Sequence, residues 1–157
     1  MIDIFLSNIH LPKLTEDEQG EISCPLTQKE IEKAISSLNC NKSPGEDGFP
    51  PEFYKEFKYL LIPLLMHVIN LATKTQTLPD SFSTALITVM HKKNKNPKKC
   101  SSYKPISLLN TDFKIISKSL TNRLNRFLPK LINMDQTGFM NKCLATDNLG
   151  RLLTIFI

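Results

Sequence analysis

Lys92, Lys93, Lys95, Lys98, Lys99 and Lys104 crowd one stretch of the chain, and Arg123 and Arg126 follow on a segment with helical periodicity. Cationic groups at this density suit the holding of successive phosphates, because each offers a full positive charge and several donors to an oxyanion. They are not suited to breaking bonds unaided. The residue types that do break bonds are scattered. The aspartates stand at 3, 17, 47, 80, 112, 135 and 147, with no Asp-Asp pair among them. His10, His67 and His91 lie apart from Cys24, Cys40, Cys100 and Cys143, no Cys-x-x-Cys pair occurs, and neither a zinc site nor a disulfide framework is suggested. Each cysteine reads as a small, half-buried apolar residue; Cys100 alone has lysines near enough to activate a thiol. No Ser-His-Asp or Cys-His set can be picked out, and no Gly-rich phosphate loop is present. The residues therefore predict no catalytic group and no metal ligand, and direct attention to phosphate binding.

The charge is local. Residues 1–90 carry 7 basic and 12 acidic side chains, residues 91–130 carry 11 basic and 1 acidic, and residues 131–157 carry 2 of each, for a net charge of +5 over 157 residues. Ile106, Leu108, Leu109, Ile115, Ile116, Leu120, Leu124 and Phe127 interleave with the charges of 91–130. That pattern is a folded surface of one sign, and a polyanion is the first partner to consider. On spacing alone, the lysines of 92–99 read first as a solvated hairpin tip. Hydrophobic residues make up 41% and charged residues 22%, which permits a core, excludes disordered and collagen-like classes, and fits one domain or a piece of one. The longest apolar stretch, 60–66, is interrupted by Pro63 and falls far short of the roughly 20 residues that cross a bilayer, so no membrane partner is expected. Residues 1–6 lack the basic start and small-residue cleavage site of a secretory signal, so an intracellular location is expected, cytoplasm and nucleus not being resolved.

The elements that must carry these residues follow from periodicity. The first 26 residues look irregular. Thr27 and Glu30 have capping-box spacing, and Ile31, Ala34, Ile35 and Leu38 follow on one face, so a helix is expected from Thr27 to about Asn39. Residues 41–48 form a dense loop of Pro, Gly, Ser and Asn, after which Pro50-Pro51 can open a second helix. Pro63 should break or kink that helix and leave a shorter piece over 64–73. Phe53, Tyr54, Phe57 and Tyr59 are expected in the core. Strands over 85–90 and 104–109 predict an antiparallel hairpin with a long mobile tip, Pro105 making the second strand an edge or late-starting one. A basic helix of about 20 residues should follow, capped by Asn110 or Thr111, with Phe113, Ile116, Leu120, Leu124, Phe127 and Leu131 on its buried stripe. A final helix is expected from Thr146 or Asp147, running into the apolar stretch 152–157, which should be exposed. The fold class is α+β and mostly helical.

Four motifs, in order, carry a resemblance that covers nearly the whole chain. They are Lys42-Ser43-Pro44-Gly45-Glu46-Asp47-Gly48-Phe49 with Glu52-Phe53-Tyr54-Lys55; Leu78-Pro79-Asp80-Ser81-Phe82 leading to Ala85-Leu86-Ile87 and His91-Lys92-Lys93; Ser102-Tyr103-Lys104-Pro105-Ile106-Ser107-Leu108-Leu109-Asn110; and Asp135-Gln136-Thr137-Gly138-Phe139 before Asp147-Asn148. Each alone is weak. Together, at this spacing, they resemble the reverse transcriptase of LINE-1-type (non-LTR) retrotransposons.

The resemblance implies an N-terminal extension with its first helix over 1–40, a loop and helical segment over 41–80, and an incomplete reverse transcriptase domain over 81–157. The last would hold the fingers hairpin of a right-hand polymerase, a basic helix and the entrance to the palm, stopping before the catalytic palm. The family's metal-binding aspartates have no counterpart here. A fragment of an RNA-directed DNA polymerase, inactive alone, is therefore expected, with no cofactor in this chain and Mg²⁺ expected for the complete polymerase. The implied partners are an RNA or single-stranded DNA template and a deoxynucleoside triphosphate. By resemblance Lys92 and Lys104 bind the nucleotide; Lys93, Lys95, Lys98, Lys99, Arg123 and Arg126 bind nucleic acid; and Gln136 and Gly138 belong to a turn that supports the template. Departures from the family pattern are Lys104 where Arg is usual, which replaces a planar fork by a point charge, Asn94 for a glycine, Glu46 for a proline, and Lys142 and Cys143 for a glycine and a basic residue, as in a decaying element copy. The alternative is a non-catalytic nucleic-acid-binding module derived from a retrotransposon.

Overall fold

The computed structural model of the chain describes residues 12–133, 135–138 and 146. The helices and strands are α1 (Glu16–Ser23), α2 (Gln28–Ser36), α3 (Pro51–Glu56), α4 (Lys58–Thr75), β1 (Leu86–His91), β2 (Tyr103–Leu108), α5 (Thr111–Leu124) and α6 (Leu128–Leu131). Short 3-10 turns occupy Asp80–Phe82 and Cys100–Ser102. The architecture is α+β, and two compact units divide the chain, residues 25–120 and residues 1–24 with 121–157.

In the 25–120 unit, α2 starts where its spacing predicts. Thr27 Oγ1 accepts from Glu30 N at 3.3 Å and Glu30 Oε2 accepts from Thr27 N at 2.8 Å, so two orphan amides are satisfied reciprocally. The helix stops at Ser36, before Asn39, with the Ser37 hydroxyl donating to Ala34 O at 2.9 Å. Ile31, Ala34 and Ile35 are fully buried and form the core with Leu26, Tyr54, Ile62, Leu65, Ile69 and Ile115. Burial of each large aliphatic side chain contributes about 1.5–3 kcal/mol, and this cluster fixes α2, α3, α4 and the first turns of α5 against one another.

Pro63 does not break the second helical segment. The helix α4 runs through it, and the break falls at Phe57, whose φ and ψ of −96° and 20° separate α3 from α4. Pro63 removes a single i→i−4 bond, to Tyr59, and both residues are exposed, so water can replace what the ladder loses. Of the expected core aromatics, Tyr54 is buried and Phe53 half-buried, stacking on Phe49 with centroids 4.6 Å apart. Phe57 and Tyr59 are exposed at 45% and 74%, contrary to expectation, because the break at Phe57 turns them off the buried face.

The hairpin forms as expected. β1 pairs antiparallel with β2, Leu86 opposite Leu108, Val89 opposite Pro105 and His91 opposite Tyr103. Lys92 N donates to Ser102 O at 2.7 Å, so by alternation the main-chain groups of residues 90, 88 and 86 also point at β2, and those of 91, 89 and 87 point away. Pro105, opposite Val89, thus has its missing N–H on the outer edge and costs the ladder nothing. The same alternation puts Ile87, Val89, His91, Tyr103 and Pro105 on one face and Thr88, Met90, Lys92, Lys104 and Ile106 on the other.

The expected basic helix is shorter and turned differently. α5 ends at Leu124, where the i→i−4 ladder gives way to i→i−3 bonds from Arg126 N to Arg123 O and from Phe127 N to Leu124 O, and α6 is a separate turn. Its buried positions in the 25–120 unit are Thr111, Ile115 and Ser119, while Leu120 is 49% exposed. Thr111 Oγ1 donates to Phe49 O at 2.8 Å, and Ser119 Oγ reaches Ile115 O at 3.0 Å and Glu30 O at 3.4 Å. Small side chains whose polar atoms find carbonyls let the helix approach its neighbours, and the larger leucines are left outside.

In the other unit, α1 corrects the expectation of an irregular start. Thr15 and Glu18 form a capping box, yet the helix buries none of its residues. Its partners are charged: Arg123 Nη1 donates to Ile22 O at 3.1 Å and to Cys24 O, Arg126 Nη2 lies 3.0 Å from Glu21 Oε2, and Lys130 Nζ pairs with Glu18 Oε1. Phe127 is buried, and Leu124 is 43% exposed.

Cys24, Cys40 and Cys100 are free and exposed, not half-buried, and Lys55 Nζ donates to Cys40 Sγ at 3.4 Å. Among the described residues no helix is long and apolar enough to cross a membrane. Thr146 is helical; the rest of the expected final helix, the apolar stretch 152–157, Phe139, Lys142 and Cys143 lie outside the described residues.

Candidate nucleic-acid interface

The lysines sit on a hairpin tip that is built, not merely spanned. Lys92 closes its neck twice, through its main-chain N–H to Ser102 O and through Nζ to Ser101 O, each at 2.7 Å. Lys95 N donates to Lys92 O at 3.2 Å, and Asn94 within that turn has a φ of 61°. The left-handed region normally demands glycine, and asparagine is among the few side chains that tolerate it, so the departure at this position keeps the turn. Asn96 Oδ1 accepts from Lys98 N at 2.9 Å, Ser102 N donates to Lys99 O at 2.9 Å, and the Tyr103 hydroxyl donates to Pro97 O at 3.0 Å.

On this frame Lys93, Lys95, Lys98, Lys99 and Lys104 are exposed and Lys92 is half-buried. The register places Lys104 opposite Met90, one diagonal from Lys92 on the same face, so the two lysines singled out for a nucleotide share a surface. Lys93 to Lys99 extend beyond them at the tip.

The roots of the hairpin are fastened to the loop of residues 43–49. Asn110, buried just after β2, accepts from Asp47 N at 3.4 Å through Oδ1 and donates from Nδ2 to Ser81 O at 3.5 Å. Lys114 Nζ donates to Ser43 O at 3.3 Å. Phe82, buried just before β1, meets Phe113 edge to face with centroids 5.6 Å apart. From sequence the loop offers only stiffness and Asn110 a helix cap; the tie between them spans 63 residues and has no local pattern to announce it.

Acid groups gather at the same root. Burial pushes the Asp112 carboxyl above its ordinary range, with the nearby Asp47 adding to the effect and the Phe113 N–H, 2.6 Å from Asp112 Oδ1, opposing it. The Tyr54 phenol is also pushed up, by burial first and then by Asp112 and Asp47. Among the described residues no group of three or more His, Cys, Asp or Glu is placed to hold a metal ion.

The remaining candidates belong to the other unit. Arg123 is 8% exposed and its guanidinium holds the carbonyls at the end of α1, a structural use that removes it from an exposed phosphate-binding row. Arg126 is exposed while paired with Glu21. Gln136 is exposed and donates from Nε2 to Gly138 O at 3.2 Å. A Cβ on Gly138 would meet only that Gln136 amide, at 3.6 Å, so the described surroundings leave room for a side chain there.

No family model matches the chain. Curated transposon proteins do, with these among them. A transposon TX1 uncharacterized 149 kDa protein from Xenopus laevis is 34% identical over 127 residues, which is 81% of this chain and 10% of that protein. A probable RNA-directed DNA polymerase from transposon BS of Drosophila melanogaster is 31% identical over 130 residues, 82% of this chain and 14% of the relative. An RNA-directed DNA polymerase from mobile element jockey of Drosophila melanogaster is 30% identical over 138 residues, 85% of this chain and 15% of the relative. The chain thus spans between a tenth and about a seventh of the length of these relatives.

Proposed function

The chain is homologous to a segment of non-LTR retrotransposon proteins and RNA-directed DNA polymerases, and from that premise we propose that it serves as the fingers of an L1-type reverse transcriptase, gripping template and incoming nucleotide. The observation that carries this reading is the shared face of Lys92 and Lys104 on a hairpin whose tip displays Lys93, Lys95, Lys98 and Lys99. In this role Lys92 and Lys104 neutralise triphosphate oxygens of a deoxynucleoside triphosphate and the tip lysines follow the phosphates of an RNA or single-stranded DNA template, while Arg126, Gln136 and Gly138 of the other unit are assigned to nucleic acid by the resemblance alone. Residues from 81 onward form the polymerase portion, and 1–80 its N-terminal extension and helical segment. Two-metal phosphoryl transfer needs carboxylates that converge on a pair of Mg²⁺ ions. No bond-making step is attributed to this chain.

The test is a titration of labelled single-stranded RNA at several salt concentrations. Each phosphate contact contributes a slope of about −0.7, and about three to five contacts with micromolar or weaker affinity near physiological salt are expected. Lys98→Ala and Lys99→Ala should each lower the slope by about one contact at most. In a fusion to a polymerase palm, Lys92→Ala and Lys104→Ala should weaken triphosphate binding more than they weaken RNA binding. Affinity independent of salt, or none at low salt, would reject the reading.

A further inference from the structure

The hairpin face opposite Lys92 and Lys104 has a chemistry of its own. Ile87 and Val89 are exposed at 65% and 64%, and Pro105 and His91 are exposed beside them. His91 and Tyr103, paired across the strands, set their rings edge to face with centroids 5.2 Å apart and planes at 65°. An edge-to-face contact occupies one ring face only. Tyr103 cannot swing freely, because its hydroxyl is tied to Pro97 O, so it braces the His91 ring at the junction of the strands and the lysine-bearing tip. A planar ring held in place and open to solvent, at the neck of a tip that carries Lys93, Lys95, Lys98 and Lys99, is the combination by which proteins hold single strands: the cations take the phosphates while a base stacks on the ring.

We infer that His91, braced by Tyr103, is a base-stacking platform for single-stranded nucleic acid, on the face of the hairpin away from Lys92 and Lys104. The positive field of the tip selects a polyanion over an uncharged apolar partner, and the ring pair adds what a bare polyanion lacks, an affinity for bases. This inference rests on the hairpin being the nucleic-acid interface, and it predicts a second subsite with a different chemical preference from the phosphate-binding lysines.

The experiment uses the full chain and two probes, a labelled oligouridine and inorganic polyphosphate of similar charge. His91→Ala should weaken oligouridine binding about 5-fold or more, the size expected for one stacked base, and leave polyphosphate binding and the salt slope unchanged. His91→Phe, which keeps a ring without the imidazole, should retain the oligouridine affinity, and Tyr103→Leu should lose it. Equal losses on both probes, or none on oligouridine, would overturn the platform. Lys98→Ala separates the two ideas, since it should weaken both probes together. A wild-type chain that binds neither probe overturns the interface and the platform alike; one that binds both while His91→Ala is silent overturns the platform alone.

Discussion

A Cβ built on Gly45 would lie 2.5 Å from the backbone nitrogen of Asn110 and 2.7 Å from its Cα, closer than side-chain carbons approach a main chain. The glycine is there because the loop lies flat on the chain segment leaving β2. Gly45→Ala should force the two apart and destabilise the chain by about 1–3 kcal/mol, the usual cost of overpacking, read as a lower urea midpoint with an unchanged slope. An unchanged midpoint would mean that the loop is not held against Asn110.

Asn94 tests the tip without touching the core. At a φ of 61°, Asn94→Gly should be at least as stable as wild type, and Asn94→Val should cost about 1–2 kcal/mol of local stability. Limited proteolysis within 92–102 is the suitable measurement, because the loss is confined to the turn. Equal cleavage of the valine variant and wild type would contradict it.

Asp112 sets a pH dependence whose sign follows from its raised carboxyl. A folded-state value above the unfolded one means that the native state holds the proton more tightly, so this contribution is fully present below the ordinary aspartate value near pH 4 and is lost as pH rises through the folded value. Asp112→Asn should therefore melt at a higher temperature than wild type at neutral pH, with the gap closing on acidification. Thermal melts of both proteins across that range decide it, and a gap that widens toward acid would reverse the assignment.

Arg123 and Arg126 should part company. Arg123→Ala leaves the Ile22 and Cys24 carbonyls without their charged donor and should cost about 2–4 kcal/mol. Arg126→Ala removes an exposed pair worth at most about 1 kcal/mol and should be seen in RNA affinity before stability. Urea unfolding and RNA titration of the two variants, side by side, make the comparison.

What the sequence made legible was local. The Thr27–Glu30 box, the Pro50-Pro51 helix start and both strands follow from patterns a few residues long, and each forms. The Thr15–Glu18 box carried the same signal for α1, but no apolar stripe followed it, since that helix is held by Arg123, Arg126 and Lys130 and not by burial. The buried face of α5 was misread for a related reason. Hydrophobicity points to Leu120 and Leu124, whereas close approach selects Ser119, whose hydroxyl is satisfied by carbonyls. In the candidate site, the lysines were legible from composition, but the face that Lys92 and Lys104 share follows from the strand register. The brace of Tyr103 on Pro97, the lock of Lys92 on Ser101 and the seat of Gly45 against Asn110 depend on three-dimensional closure, which no window of sequence contains.

The pairing of Lys130 with Glu18, 112 residues apart, sets a timetable for synthesis. Residues 25–120 are contiguous and can begin to pack while translation continues, but the unit made of 1–24 and 121–157 needs both ends of the described chain. At about 5–20 residues per second, α1 emerges from the ribosome roughly 5–20 s before the segment that holds it. For that interval it is a lone eight-residue helix with no buried side chain, below the length at which isolated helices persist in water. Nascent chains halted near residue 120 should be cut by protease around 16–24 and spared within α2 and α4, with protection of the first segment arriving only after residue 130 is released.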